Sequence, residues 1–358
     1  MISIPRSPDR AAVWAGIVSG LLLHFGPGPC RPAALHATVL ARQETSCPVC
    51  SQKFRAVVLA STDTSAGVDR DLFARSAGPQ PVFYRITTCP RCYYSGYLTD
   101  FDAKTRFPEG FRDKVLRHPK LDPGMAITPE TDQRMIPAEV HYRLAHQCYR
   151  WRGMTAESMA WLALRASWVA RDTGSVLPRT DRLQRVMGFI EQWLPDDSPQ
   201  TNQADRELRL TTRLAAQLAE GRFSRYQAPY VKFVLAMMWR RHGENHLFEA
   251  LFPDGQRAAD LPEQLQAKLV EVHASIAEER KWQRRALDQF LQALDGDEIV
   301  PQNRSAADYL VAELYRRLGQ RNRAVRYYDR ALSDPRLDSH LADWARQQRA
   351  RVAGRPGR

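Results

Sequence analysis

Apolar and polar positions change rhythm along this chain. From Phe54 to Ala60 (FRAVVLA) β-branched and apolar residues dominate, and Pro81 to Thr88 (PVFYRITT) has the same character. Both runs predict strands. A polar loop carrying Asp63, Asp69 and Asp71 lies between them. Residues 102–136 keep no steady period and are punctuated by Pro108, Pro119, Pro123 and Pro129, with Pro137 closing the stretch. From Glu139 onward apolar residues recur every three or four positions, the spacing of amphipathic helices. The expectation is an α+β chain: a small β-rich module followed by a mainly helical domain.

The N-terminus follows a different plan. Arg6 and Arg10 precede an apolar stretch from Ala11 to Phe25, which is too short to span a bilayer comfortably. Gly26, Pro27, Gly28 and Pro29 break a helix, and small residues lead to Ala37 and Ala41. This is the layout of an export signal. Residues 1–41 therefore read as a leader, and the mature chain is expected in the periplasm or outside the cell, without a membrane span. A mis-chosen start or a short buried helix is the rival reading, which leaves the chain in the cytoplasm. The remaining divisions are a module at 42–102, a Pro-rich connection at 103–137, a helical domain at 138–350 and a basic tail at 351–358.

Composition changes this picture little, and charge needs care. The 358 residues are 44% apolar and 26% charged, which excludes wholesale disorder and fibrous classes. The formal charge is +12, but 45 of the 52 basic residues are Arg. Such a bias with abundant Ala also arises from coding habit. The excess is uneven: Arg304 to Arg358 holds 13 Arg against 6 acids. A solvated basic face is the first reading, and a nucleic-acid surface the second.

Four of the six cysteines form the strongest motif. Cys47-Pro48-Val49-Cys50 and Cys89-Pro90-Arg91-Cys92 are matched C-x-x-C pairs separated by 38 residues. Each such turn aims two thiolates at one point, and two turns supply the four sulfurs of a tetrahedral site. Sulfur-only sites favour zinc or iron, and four filled positions leave none for a catalytic water. The expectation is one structural zinc per chain held by Cys47, Cys50, Cys89 and Cys92, with a one-iron centre as the minor alternative. In an oxidising compartment the pairs are instead candidates for thiol-disulfide exchange. Asp63, Asp69 and Asp71 read as capping and turn residues rather than an acid/base set. Gly96 suits a tight turn, and Tyr93, Tyr94, Tyr97 and Phe101 are placed over the metal.

The run CPVCSQKF, AVVLAST, VDRDLF and PVFYRITTCPRCYYSGYLTDF resembles the bacterial family catalogued as domain of unknown function 2225. That pattern has two C-P-x-C knuckles, an intervening D-x-D-L-like stretch and an aromatic run after the second knuckle. The resemblance covers roughly residues 44–102 and, less specifically, the helices. Tyr93 departs from it, since Gly usually follows the last cysteine, which questions the local turn but not the ligands. The resemblance implies a zinc-ribbon-like module fused to helical repeats, and supports a leader. It implies no activity.

Within the helical part, Ala307 to Pro335 is similar to a tetratricopeptide repeat. Ala312, Tyr315, Gly319, Ala324, Tyr328 and Ala331 fall where that repeat needs small, turning and groove-filling residues. Ala274, Ala286, Phe290 and Ala293 repeat the spacing 38 residues upstream. Weaker echoes are Trp151, Ala160, Leu164 and Ser167, and Ala236, Trp239 and Gly243. Stacked helical hairpins leave a concave surface suited to peptides. Arg316, Arg317, Arg321, Arg323, Arg326 and Tyr327 are the candidate binding residues, for an acidic peptide, a C-terminal carboxylate or nucleic acid.

Enzyme motifs are missing from the sequence. There is no P-loop, no dinucleotide fingerprint and no G-x-S-x-G elbow. His242-Gly243-Glu244-Asn245-His246 lacks the Glu that a zinc protease needs directly after its first His. His141 and His146 share a helical face poorly, and Cys148 reads as a packing residue. The sequence thus points to a non-enzymatic, zinc-stabilised interaction protein with a protein or peptide partner. The alternatives are a nucleic-acid-binding ribbon protein, which export disfavours, and a periplasmic thiol-disulfide oxidoreductase.

Overall fold

Two short β-hairpins open the fold, and each is closed by a cysteine knuckle. In the computed structural model, which describes residues 38–76, 78–117, 121–193 and 203–354, β1 (Val39–Ser46) pairs antiparallel with β2 (Lys53–Ser61). β3 (Ile86–Thr88) pairs antiparallel with β4 (Ser95–Tyr97). Phe54 and Ala56 turn into the core while Arg55 faces out, the two-residue alternation of a half-buried strand. Nearly all of the proposed leader lies outside the described residues. Its last three residues, Val39 to Ala41, belong to β1 and pair with β2, so cleavage after Ala41 would shorten that strand.

The second predicted strand is mostly not one. Residues Pro81–Tyr84 form a 3-10 turn, and only Ile86–Thr88 is extended. Pro81 stands at the start of that turn, where its fixed φ suits a helical residue and its missing N–H costs no hydrogen bond. Gly96 is also not a turn residue: it sits in β4 opposite Thr87. A Cβ there would lie 2.8 Å from Asp100 Oδ2, so the glycine provides room for that carboxylate.

Eleven helices follow among the described residues: α1 (Phe111–Arg117), α2 (Ala138–Arg152), α3 (Ala156–Ser175), α4 (Asp181–Trp193), α5 (Gln203–Ala219), α6 (Ala228–Arg241), α7 (Asn245–Leu251), α8 (Glu263–Asp295), α9 (Arg304–Arg317), α10 (Arg321–Leu332) and α11 (Ser339–Ala353). The fold is α+β. Three helix pairs, α2/α3, α6/α7 and α9/α10, turn through left-handed glycines: Gly153, Gly243 and Gly319. In each, the next residue's N–H reaches back to a carbonyl in the last turn of the first helix. These bonds are Met154 to Tyr149, Glu244 to Trp239 and Gln320 to Tyr315, at 3.1, 2.9 and 2.8 Å. This closure satisfies carbonyls that a helix end would otherwise leave open, and only glycine adopts its backbone freely.

The upstream repeat anticipated at Ala274, Ala286, Phe290 and Ala293 is not a hairpin. All four lie on α8, which runs unbroken for 33 residues. No Gly or Pro interrupts 263–295, so nothing in the local sequence stops the helix. At about 1.5 Å per residue it is long enough to serve two cores. Leu265, Leu269, Val272 and Ile276 pack with α4 to α7. Trp282, Ala286, Leu287 and Phe290 pack with α2, α3 and α9 to α11. A third cluster joins both hairpins to α1 and α2.

Candidate metal centre

The two knuckles are built alike. Cys47 N–H donates to Gln52 O at 2.8 Å, and Ser51 N–H to Cys47 O at 2.8 Å. Cys89 N–H donates to Tyr94 O at 2.8 Å, and Tyr93 N–H to Cys89 O at 3.0 Å. The residue after each second cysteine is left-handed, Ser51 at φ 60° and Tyr93 at φ 58°. Tyr93 therefore adopts a conformation that glycine takes most freely, and its turn matches the one at Ser51. Val49 N–H points at Cys47 Sγ at 3.4 Å, the amide-to-sulfur contact that stabilises a thiolate.

The four sulfurs converge. All lie within 4.8 Å of one another, with Cys47–Cys92 at 3.6 Å and Cys50–Cys89 at 3.5 Å. A tetrahedron with ~2.3 Å metal–sulfur bonds has edges of ~3.8 Å, close to the two cross-knuckle separations. Each quoted close pair joins one knuckle to the other, and both separations far exceed the ~2.05 Å of a disulfide. Crowding divides the thiols: donation from Cys47 holds Cys89 down to about 2, while neighbouring sulfurs push Cys47 and Cys92 up. Close thiolates repel, and a cation among them relieves this. The four cysteines are positioned to bind a metal ion.

Aromatic rings close the site. Cys47, Cys89 and Cys92 are buried and Cys50 is half-buried. Tyr94 packs against Phe101, Phe107 and Phe111 with ring centroids 5.2, 5.5 and 5.9 Å away. Tyr94 and Phe101 are therefore cover, as expected, and Tyr93 packs at the edge. Tyr97 instead turns toward Tyr149 and Arg165. Cys148 is a separate packing thiol that accepts the Ser95 N–H at 3.5 Å. Burial pushes it up to about 12, so it remains protonated. His141 is not a ligand: its ring bridges Thr88 Oγ1 at 2.6 Å and Gln133 O at 3.3 Å.

The sequence matches the bacterial family described as "Uncharacterized protein conserved in bacteria (DUF2225)" over residues 40–252 and 214–352. The chain belongs to that family. No curated protein and no solved structure matches it.

The D-x-D-L stretch of this DUF2225 chain has a different role from the one its loop position suggested. Asp63 does cap, accepting Ser65 N–H at 2.8 Å. Asp69 and Asp71 are instead buried in an ion-pair network. Asp69 takes both Arg75 Nε and Nη2, at 3.0 and 2.7 Å, and Arg171 Nη1 at 3.2 Å. Asp71 accepts hydrogen bonds from Arg171 and from Trp168 Nε1 at 3.1 Å, and forms an ion pair with Arg317 Nη2 at 3.4 Å. Arg171 continues to Glu279 at 3.0 Å, and Glu279 also holds Arg240 and Asn245. Burial alone would raise both aspartates, and the surrounding guanidiniums outweigh it and hold them low. The missed signal was arginine on apolar helix faces, as at Arg171 within AWLALRASWVAR.

The candidate binding set at the C-terminal hairpin divides in two. Arg316 and Arg317 are core ion-pair residues: Arg316 meets Glu244 at 2.9 Å and Glu313 at 3.0 Å, and Arg317 meets Asp71 and Glu313. Arg321 is exposed at the start of α10. Arg323, Arg326 and Tyr327 come together with Tyr315 and Arg330 around an open cleft of about 280 Å³. No described helix is long and apolar enough to cross a membrane.

Proposed function

We propose that this DUF2225 chain is a non-enzymatic interaction protein: one structural zinc per chain sets the N-terminal module, and tetratricopeptide-like hairpins bind a partner protein. The observation that carries the metal half is the closed, all-sulfur cluster under an aromatic cover. Four thiolates fill a tetrahedron and suit zinc, with no position left for a reacting water. The cross-knuckle sulfur spacing fits an ion better than exchange chemistry, which closes a disulfide within one C-x-x-C. The interaction half is supported by the glycine-closed helix pairs, above all α9/α10, where the repeat-like residues Ala312, Ala324, Tyr328 and Ala331 are all buried. Export of the mature chain is part of the same proposal and rests on the leader pattern.

Affinity capture with the tagged full chain from its own host, with metal and thiols measured on the same sample, tests both halves. The expected result is about one zinc per chain, four thiols freed by a chelator, and a discrete protein partner. Two disulfides without metal would overturn the zinc site in favour of thiol exchange. Recovery of nucleic acid that nuclease removes would overturn the protein partner.

A further inference from the structure

The α10 helix turns Ala324, Tyr328 and Ala331 into the core. Arg323, Arg326, Tyr327 and Arg330 then share a flanking face at the i, i+3, i+4, i+7 spacing of one helical stripe. The guanidinium of Arg323 lies 5.7 Å from the Tyr315 ring, and that of Arg330 lies 5.5 Å from the Tyr327 ring. Rings that hold a guanidinium by its face leave its edge N–H groups for a planar acceptor.

Charge balance separates this cleft from the ion pairs beside it. One turn away, Arg316 and Arg317 are matched by Glu244, Glu313 and Asp71. At the cleft, Arg330 meets Asp308 at 3.0 Å. Arg323 bonds only the neutral Gln320, at 2.9 Å. Among the described residues, neither Arg323 nor Arg326 has a carboxylate partner. The cleft therefore joins two exposed, uncompensated guanidiniums to an aromatic floor.

We propose that this cleft docks an acidic peptide segment of a partner protein. Its carboxylates meet Arg323 and Arg326, and an apolar side chain seats on Tyr315 and Tyr327. The proposal rests on the interaction reading above and specifies its ligand. The same residues could stack single-stranded nucleic acid. A peptide fits better, because the space takes only a few side chains.

Fluorescence anisotropy on the full chain tests this with two rhodamine-labelled peptides, Glu-Glu-Leu-Glu-Glu and Gln-Gln-Leu-Gln-Gln. The acidic peptide is expected to bind roughly tenfold tighter or better, and to weaken as salt rises. The double variant Arg323→Gln, Arg326→Gln should lose that preference with an unchanged melting temperature, since both side chains are exposed. Equal binding of the acidic peptide by the variant and the parent overturns the site. Tighter binding of an oligo-dT strand through the same two arginines overturns the peptide assignment. A variant that still captures the parent's host partner removes this cleft while leaving the general interaction reading intact.

Discussion

Ser51 and Tyr93 occupy the same place in the two knuckles, and both are left-handed. A side chain there costs about 1 kcal/mol relative to glycine. Tyr93 offsets that cost by packing on the metal-site cluster. Ser51 is exposed and has no such compensation. Ser51→Gly is therefore expected to stabilise the module by about 0.5–1 kcal/mol, read as a higher urea midpoint with metal content unchanged. A lower midpoint would mean that the local backbone is not the limiting strain. The departure at Tyr93 was readable in the sequence, but its harmlessness was not. It depends on packing against the cysteine cluster, which assembles only in the folded chain.

At the scale of elements, α2 supports the second knuckle through a histidine rather than a metal bond. Burial pushes His141 down to about 4, from an ordinary value of 6.5, and the neutral ring bridges β3 to the turn before α2. The unfolded chain takes up a proton near pH 6.5, whereas the folded chain resists until about pH 4. This contribution is complete above pH 6.5 and is lost progressively as pH falls toward 4. It amounts to roughly 3 kcal/mol at the acid end. Urea unfolding across that window should show the loss in the parent and a shallower one in His141→Asn. Identical slopes would assign the acid sensitivity to other groups, the cysteine cluster first. Helical spacing alone identified the helical part from Glu139 onward and the hairpin that turns at Gly319. It misread α8, because a small-residue pattern at helical spacing fits one long helix as well as two short ones.

For the whole molecule, the buried ion pairs tie the loop between the hairpins to four helices. Asp69, Asp71, Glu279 and Glu313 face Arg75, Arg171, Arg240 and Arg317, drawn from that loop and from α3, α6, α8 and α9. The glycine at 243 leaves space for this: a Cβ would fall 1.6 Å from Arg317 Nη1. Removing one member strands a buried charge, which costs far more than losing an exposed pair. Glu279→Ala is expected to destabilise by about 3–5 kcal/mol. Arg349→Ala, which breaks an exposed pair with Asp329, is expected to cost under about 1 kcal/mol. In both, circular dichroism and fluorescence of Trp168, which stacks on Phe73, should report one shared transition. A module that melts separately from the helices would contradict the clasp.

Local pattern by itself determined the α+β division, the four-cysteine cluster and the C-terminal hairpin. Each depends on short-range rules: cysteines three apart point together, apolar residues at helical spacing share a face, and glycine reverses a helix end. The tertiary structure alone decided which charges are interior and which face solvent. Arg316 and Arg326 look alike in the sequence, yet one is neutralised by Glu244, 72 residues away, and the other stands open in the cleft. Burial and pairing depend on distant parts of the chain, so no local spacing encodes them.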